Sequence, residues 1–241
     1  MSEPLIHADI AKAHTLPSRF YTDEDTFRSL ISGMQDCWYF GAHSSQFAEH
    51  NVIPLTDIET MLGEALMLTN SDRVRCLSNV CTHRGMLVAT EPCNSNTLQC
   101  RYHGRTFGID GCFKNMPEFQ DVEDFPSASD DLANFPVTDW KGLQLVGGDL
   151  YLEEAITELE SRLGWIDVES FQHDPSRYRS YEIKANWALY VDNYLEGFHI
   201  PFVHGDLHDV LDKDEYRTEL FDGGVLQIGI AKEGEPHFEP P

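Results

Sequence analysis

Hydrophobic positions recur at helical spacing near the start of the chain. Phe27, Leu30, Ile31 and Met34 fall on one side of a helix that Thr22 can cap. The period then shortens. From Cys37-Trp38-Tyr39-Phe40-Gly41 onward, short apolar stretches alternate with turn signals such as Asn70-Ser71-Asp72 and Asp110-Gly111, which predicts strands at 65–69, 73–78, 97–100 and 106–109. Residues 142–148 read as the closing strand of this antiparallel block. Beyond it, Ala155, Ile156, Leu159 and Leu163 share one face of a predicted helix over 153–164. Residues 181–184 alternate like a strand, and 215–221 and 225–231 predict two more, joined through Asp222-Gly223-Gly224. A helix is predicted over the first part of 186–204, with Pro201 kinking or ending it. The pattern divides the chain into a helical lead-in (1–36), an all-β domain (37–150) and a mixed α+β part (151–241).

Composition changes this picture little, and charge changes it more. The 241 residues, 41% hydrophobic and 24% charged, suffice for one large or two modest globular domains. No apolar run is long enough to span a membrane, and the N-terminus lacks a basic region followed by an apolar stretch, so a cytoplasmic protein is expected. Forty-one acids against seventeen bases give a net charge of −24, which argues against nucleic acid or an anionic membrane as partner. The excess reads as a well-solvated surface or, alternatively, as an acidic surface suited to a salty cytoplasm. Of six cysteines, 37, 76, 93 and 112 show no framework spacing and are expected to be reduced, mostly buried thiols.

The remaining two cysteines belong to the most informative stretch. Cys81-Thr82-His83-Arg84-Gly85 and Cys100-Arg101-Tyr102-His103-Gly104 form two mixed pairs, C-x-H and C-x2-H, with sixteen residues between His83 and Cys100. A zinc finger usually keeps its cysteines on one arm and its histidines on the other. Here each arm brings one thiol and one imidazole. That mixture suits a Rieske [2Fe–2S] centre, in which two Cys hold one iron and two His the other. Cys81, His83, Cys100 and His103 are the candidate cluster ligands, and Gly85 and Gly104 let backbone amides approach the sulfides. High-potential centres of this type carry an extra cysteine in each loop. Met86 and Tyr102 stand at those positions, so the loops resemble those of low-potential Rieske centres, which implies a potential near the bottom of a range of roughly −150 to +300 mV.

A second constellation follows in Asn-Trp-Ala-Leu-Tyr-Val-Asp-Asn-Tyr-Leu-Glu-Gly-Phe-His-Ile-Pro-Phe-Val-His (186–204). Glu196 and His199 sit three apart, on one face of the predicted helix, and His204 follows five residues later. Two neutral imidazoles and a carboxylate from elsewhere make a facial triad for a ferrous iron with open positions. Taken alone, H-x4-H is a weak signal. Together with the upstream cluster motifs, the pattern N-W-x-L-x-x-D-N-Y-L-E-x-x-H-x4-H resembles the Rieske non-haem iron oxygenase (aromatic ring-hydroxylating dioxygenase) α subunits, over nearly the whole chain. Glu at 196, where ring dioxygenases have Asp, and the run D-N-Y-L-E-G-F-H-I-P are similar to the branch acting on choline and carnitine.

The resemblance implies an α+β protein: an all-β Rieske [2Fe–2S] domain followed by an incomplete α+β, helix-grip-like catalytic domain. It implies His199 and His204 as ligands of a mononuclear Fe(II), and Glu196 as the carboxylate linking a neighbouring subunit's Rieske histidine to this iron's histidine. It further implies an NAD(P)H-dependent flavin or iron–sulfur reductase as partner, O2 and a small organic substrate, and a homotrimer in the complete form. Arg105 replaces the Trp of most of the family, a change that bears on packing beside the cluster. The family's last iron ligand is a carboxylate far downstream, whereas only thirty-seven residues follow His204, with Glu233, Glu235 and Glu239 the last acids. A chain cut short at its C-terminus is therefore expected. The alternative is a Rieske electron-transfer protein without a functional mononuclear site. Tyr190, Tyr194, Phe198 and Phe202 are expected to be plain core packing, the other reading being aromatic faces for a quaternary ammonium group.

Overall fold

In Leu66-Met67-Leu68-Thr69 every residue is buried, and period-two geometry sends Leu66 and Leu68 to one face and Met67 to the other. That strand lies at the centre of the cluster-bearing half of the computed structural model, which describes residues 6, 7, 9–221 and 223–239. The chain opens with helices α1 (Arg19–Thr22) and α2 (Glu24–Met34), followed by strands β1 (Trp38–His43) and β2 (Val52–Pro54) and helix α3 (Glu59–Leu62). Strands β3 (Leu66–Asn70), β4 (Val74–Ser78), β5 (Thr97–Gln99), β6 (Thr106–Gly108) and β7 (Phe113–Asn115) come next. They are followed by β8 (Asn134–Phe135), β9 (Val137–Trp140), β10 (Leu143–Gly147) and helix α4 (Leu152–Leu163). Helices α5 (Trp187–Tyr194), α6 (Ile200–Val203) and α7 (Gly205–Val210) precede the hairpin of β11 (Leu211–Phe221) and β12 (Gly224–Ala231).

Met34–Tyr178 form one compact unit. Its middle sheet has the order β2-β3-β4-β8, antiparallel, with Leu68 opposite Cys76 and Met67 opposite Leu77. On one face Met67 and Leu77 pack with Leu98 and Phe107 of the β5-β6-β7 sheet and with Cys81 and Cys100. On the other, Leu66, Leu68 and Cys76 pack with Ala42 and Val146 of the β1-β10-β9 sheet. Strand β10 does close the block, pairing with β1 across a bulge between Phe40 and Ala42. Its alternation sends Leu145 outward, where Leu152, Ile156, Leu159 and Leu163 of α4 cover it and Trp140. Burying each such side chain contributes about 1.5–3 kcal/mol, so the three clusters hold this unit together.

The second unit combines the described residues up to Gly33 with Arg179–Glu239. Asn186 Nδ2 donates to the carbonyls of Phe20 (3.3 Å) and Tyr21 (3.2 Å), and Tyr21 Oη donates to Asp192 (3.0 Å), which ties α1 to α5. The hairpin pairs β11 with β12 antiparallel, with a register shift between Asp212 and Arg217.

Three sequence expectations change here. The cap of α2 is Asp23, whose carboxylate accepts from the Thr26 amide at 2.8 Å, whereas Thr22 ends α1. Residues 181–184 are irregular rather than a strand, because no neighbouring strand takes their backbone groups. Cys112 is exposed, Cys37 and Cys93 are half-buried, and Cys76 is buried, with its thiol pushed up to about 12 by desolvation. Asp222, in the expected link between the last strands, lies outside the described residues. Among the described residues, no helix is long and apolar enough to cross a membrane.

Candidate metal centres

The two Cys–His loops are built alike. In the first, the Cys81 amide donates to the Met86 carbonyl at 2.9 Å and the Gly85 amide returns to the Cys81 carbonyl at 3.0 Å. In the second, the Cys100 amide donates to the Arg105 carbonyl at 2.8 Å and the Gly104 amide to the Cys100 carbonyl at 3.0 Å. Each turn closes through a left-handed glycine, with φ of +69° at Gly85 and +74° at Gly104, which a side chain would strain.

These loops bring the predicted cluster ligands together as two pairs, Cys81 with Cys100 and His83 with His103. Cys81 and Cys100 are each 2% exposed and belong to the same buried cluster. Burial pushes the Cys81 thiol up and Cys100 adds to this, while the amides of His83 and Arg84 pull the other way. The His83 and His103 rings meet edge to face with centroids 4.8 Å apart. Tyr102 lies 3.8 Å from the His103 ring, and Phe119 sits edge-on to His83 at 5.8 Å. Burial, then the charges of His103, Arg105 and Arg84, hold His83 below the usual imidazole range, so a neutral donor is favoured. Among the described residues, no three His, Cys, Asp or Glu side chains gather around one metal position. The donors come as a sulfur pair and an imidazole pair, the set that suits two bridged irons.

The second constellation is arranged differently from its sequence expectation. Asn186 caps α5, accepting from the Ala188 amide at 2.9 Å, but the helix stops at Tyr194. Glu196 and His199 therefore do not share a helical face. They meet in the following linker, where His199 Nδ1 lies 2.5 Å from Glu196 Oε1 and the Phe198 amide donates to Glu196 Oε2. Pro201 does not end α5. It sits in the first turn of α6, where a missing N–H costs nothing. His199 precedes α6 and His204 joins α6 to α7, which brings the two rings edge to face at 5.1 Å. Burial opposes ionisation of Glu196, but the His199 and Phe198 donors outweigh it and hold the carboxyl below its usual range.

Both imidazoles line a cavity of about 750 Å³ together with Glu196, Tyr190, Tyr194 and Tyr216. The donors present fit two ligands of a mononuclear iron. Glu196 is engaged on the His199 ring, and among the described residues neither Glu233, Glu235 nor Glu239 joins the two histidines. The expected core packing of the four aromatics is overturned. Tyr190, Tyr194, Phe198 and Phe202 are 65, 75, 81 and 87% exposed, because no apolar layer among the described residues covers this stretch.

One residue beside the cluster loops escaped the sequence reading. Asp130 closes the short turn Ala128–Asp130 and forms an ion pair with Arg105 at 2.5 Å. Its signal was the capping box Ser127-x-x-Asp130, of the S/T-x-x-acid form.

Two stretches of the chain match known protein families. Residues 37–126 match the Rieske [2Fe-2S] domain, and residues 172–232 match the catalytic domain of ring-hydroxylating α subunits. The carnitine monooxygenase oxygenase subunit of Escherichia coli (strain K12) is 29% identical over 243 residues, covering 96% of this chain and 63% of that protein. The chloroplastic choline monooxygenase of Beta vulgaris is 27% identical over 238 residues, covering 93% of this chain and 52% of its own length. The chain thus spans less than two thirds of the length of either relative. A solved quaternary ammonium Rieske monooxygenase, described in connection with carnitine oxidation and inter-subunit electron transfer, superposes with a TM-score of 0.78 at 25% identity, over 91% of this chain and 61% of that one. The chain thus carries a Rieske [2Fe-2S] domain followed by sequence of the ring-hydroxylating α-subunit catalytic domain, and is similar over most of its length to Rieske oxygenase subunits.

Proposed function

We propose that this chain acts as the oxygenase component of a monooxygenase for a small quaternary ammonium compound. The observation that carries the reading is the shared cavity in which His199 and His204 lie beside Tyr190 and Tyr194. Tyrosine faces attract a cation that cannot donate hydrogen bonds, and the imidazoles of His199 and His204 line the same cavity. The carnitine and choline relatives support the substrate class.

Cys81 and Cys100 would hold one iron of the cluster, and His83 and His103 the other. His199 and His204 would hold the mononuclear iron. When bound, these groups supply one-electron storage and O2 activation, which no side chain supplies. The protein's own contribution is orientation. An ionised Glu196 accepts from His199 Nδ1, which fixes the ring and leaves Nε2 for the metal. The same carboxylate is the candidate link to a partner subunit's cluster histidine in a trimer. An NAD(P)H-dependent reductase would be the electron source. The partition into a lead-in (1–36), a cluster domain (37–150) and a catalytic part (151–241) belongs to this proposal.

A second reading is an electron carrier with a cluster alone. Iron analysis separates the two: three irons per chain for the oxygenase, two for the carrier. The activity test is O2 uptake with a competent reductase and carnitine, choline or naphthalene. Uptake that depends on the ammonium compounds supports the proposal. Three irons with naphthalene as the preferred substrate would overturn the substrate class alone.

A further inference from the structure

Arg105 is an unusual residue to find 2% exposed beside a cluster loop. Its guanidinium lies over three aromatic rings, 4.9 Å from the centroid of Phe113, 5.5 Å from Phe125 and 5.8 Å from Phe107. Its Nη2 donates to Asp130 twice, to Oδ1 at 2.5 Å and to the backbone carbonyl at 3.3 Å. Its Nε is buried and finds no acceptor among the described residues. The cation is therefore only partly satisfied, in surroundings that screen it poorly.

Asp130 reaches the other loop as well. Thr82, between Cys81 and His83, donates its hydroxyl to the same Asp130 carbonyl at 2.9 Å. The Ser127 amide (2.7 Å) and hydroxyl (3.0 Å) hold the second carboxylate oxygen. The Ser127 amide and then Arg105 keep the carboxyl below its usual range, so it stays an anion at neutral pH. Arg105, meanwhile, supplies the carbonyl that closes the second loop onto Cys100. One residue thus fastens both ligand-bearing loops, through Thr82 in one and Arg105 in the other.

We infer that Arg105 and Asp130 form an internal charge clamp across the two cluster loops, with Arg105 raising the electron affinity of the bound cluster and Asp130 tempering it. The inference rests on the assignment of Cys81, His83, Cys100 and His103 as ligands. Reduction adds one electron, supplied by the reductase, and so adds one negative charge near the pair. A lone cation there favours the reduced state and a lone anion disfavours it. Asp130 acts through Arg105 and is a positioning residue, since it also sets where the guanidinium lies.

The test is a mediated potentiometric titration of the cluster-loaded protein, followed by EPR. Arg105→Gln, which leaves the Asp130 anion, is expected to cut the ratio of reduced to oxidised cluster about tenfold at a fixed potential, a fall of about 59 mV for one electron. Asp130→Asn, nearly isosteric, should shift the midpoint upward. Arg105→Lys keeps the charge and should stay close to the parent value, and the double variant Arg105→Gln with Asp130→Asn should return toward it. Loosened loops would move both single variants the same way, so shifts of one sign, or none, overturn the clamp. If Arg105→Gln retains no cluster, Asp130→Asn decides alone, and an unchanged or lowered midpoint there overturns the inference. A parent protein with no [2Fe–2S] signal would instead overturn the ligand assignment, and the clamp with it.

Discussion

The two candidate metal centres differ in what holds their donors. Cys81, His83, Cys100 and His103 stand on loops closed by their own backbone hydrogen bonds, against a core in which Met67, Leu77 and Phe107 are fully buried. His199 and His204 stand at the ends of a four-residue helix, in a unit where Ala188 is the only buried apolar residue among those described. One of them, His199, is held by a carboxylate–imidazole contact with Glu196. The contrast teaches that short-range geometry can organise four donors once a packed sheet anchors the loop ends. The second pair has its local order without comparable burial beneath it.

The largest effect that would break this comparison comes from the ligands themselves. Cys81→Ser or His103→Ala should abolish the low-average-g EPR signal of mixed Cys/His ligation, whereas His199→Ala should leave it at full intensity. Loss of the cluster signal in His199→Ala would show that the two sites are not independent. Next in size is the node behind the loops. Asp130→Ala strands a buried guanidinium, a type of change that costs about 3–5 kcal/mol, and urea unfolding of the cluster unit would measure it.

The Asp130 carboxyl also sets a pH dependence. Its folded-state pKa is depressed, first by the Ser127 amide and then by Arg105, so its stabilisation is fully present above the unfolded carboxylate value of about 3.9. It is lost as pH falls through the folded value. Unfolding of Asp130→Asn should therefore change less as pH falls below about 4 than unfolding of the parent.

A smaller change is expected at the second site. Glu196→Gln should weaken retention of the mononuclear iron about 10-fold to 100-fold, as loss of an outer-shell carboxylate does, and leave cluster content unchanged. Iron analysis after stepwise dialysis against a chelator would read this. The smallest effect concerns the tie between α1 and α5. Tyr21→Phe removes the Asp192 hydrogen bond and should cost about 0.5–1.5 kcal/mol, seen as faster amide exchange in α5 while β3 and β4 are unaffected.

Much of the fold was legible because hydrophobic period and turn chemistry are local properties. Strands β3 to β6, the closing strand β10, helix α4 and the last hairpin all lie within one to four residues of their expected bounds. The errors fall where competing local signals had to be decided by neighbours. Thr22 and Asp23 can both cap a helix, and Asp23 won because its carboxylate reaches the Thr26 amide. Pro201 fits either the end of one helix or the first turn of the next, and the early stop of α5 made it the latter.

By itself, the sequence determined the chemistry on offer: two mixed Cys–His motifs with their glycines, and a Glu-x-x-His-x4-His run rich in aromatics. These are statements about residue type and spacing, which covalent geometry carries unaided. Only the tertiary structure decided which groups face one another across long stretches of chain. It joined Arg105 to Asp130, twenty-five residues apart, and through the Asp130 carbonyl to Thr82, forty-eight away. It also left Tyr190, Tyr194, Phe198 and Phe202 exposed, where their apolar character had pointed inward. Whether an apolar side chain is buried depends on what the rest of the fold lays over it, and a charge can sit in a protein interior only where folding brings it a partner.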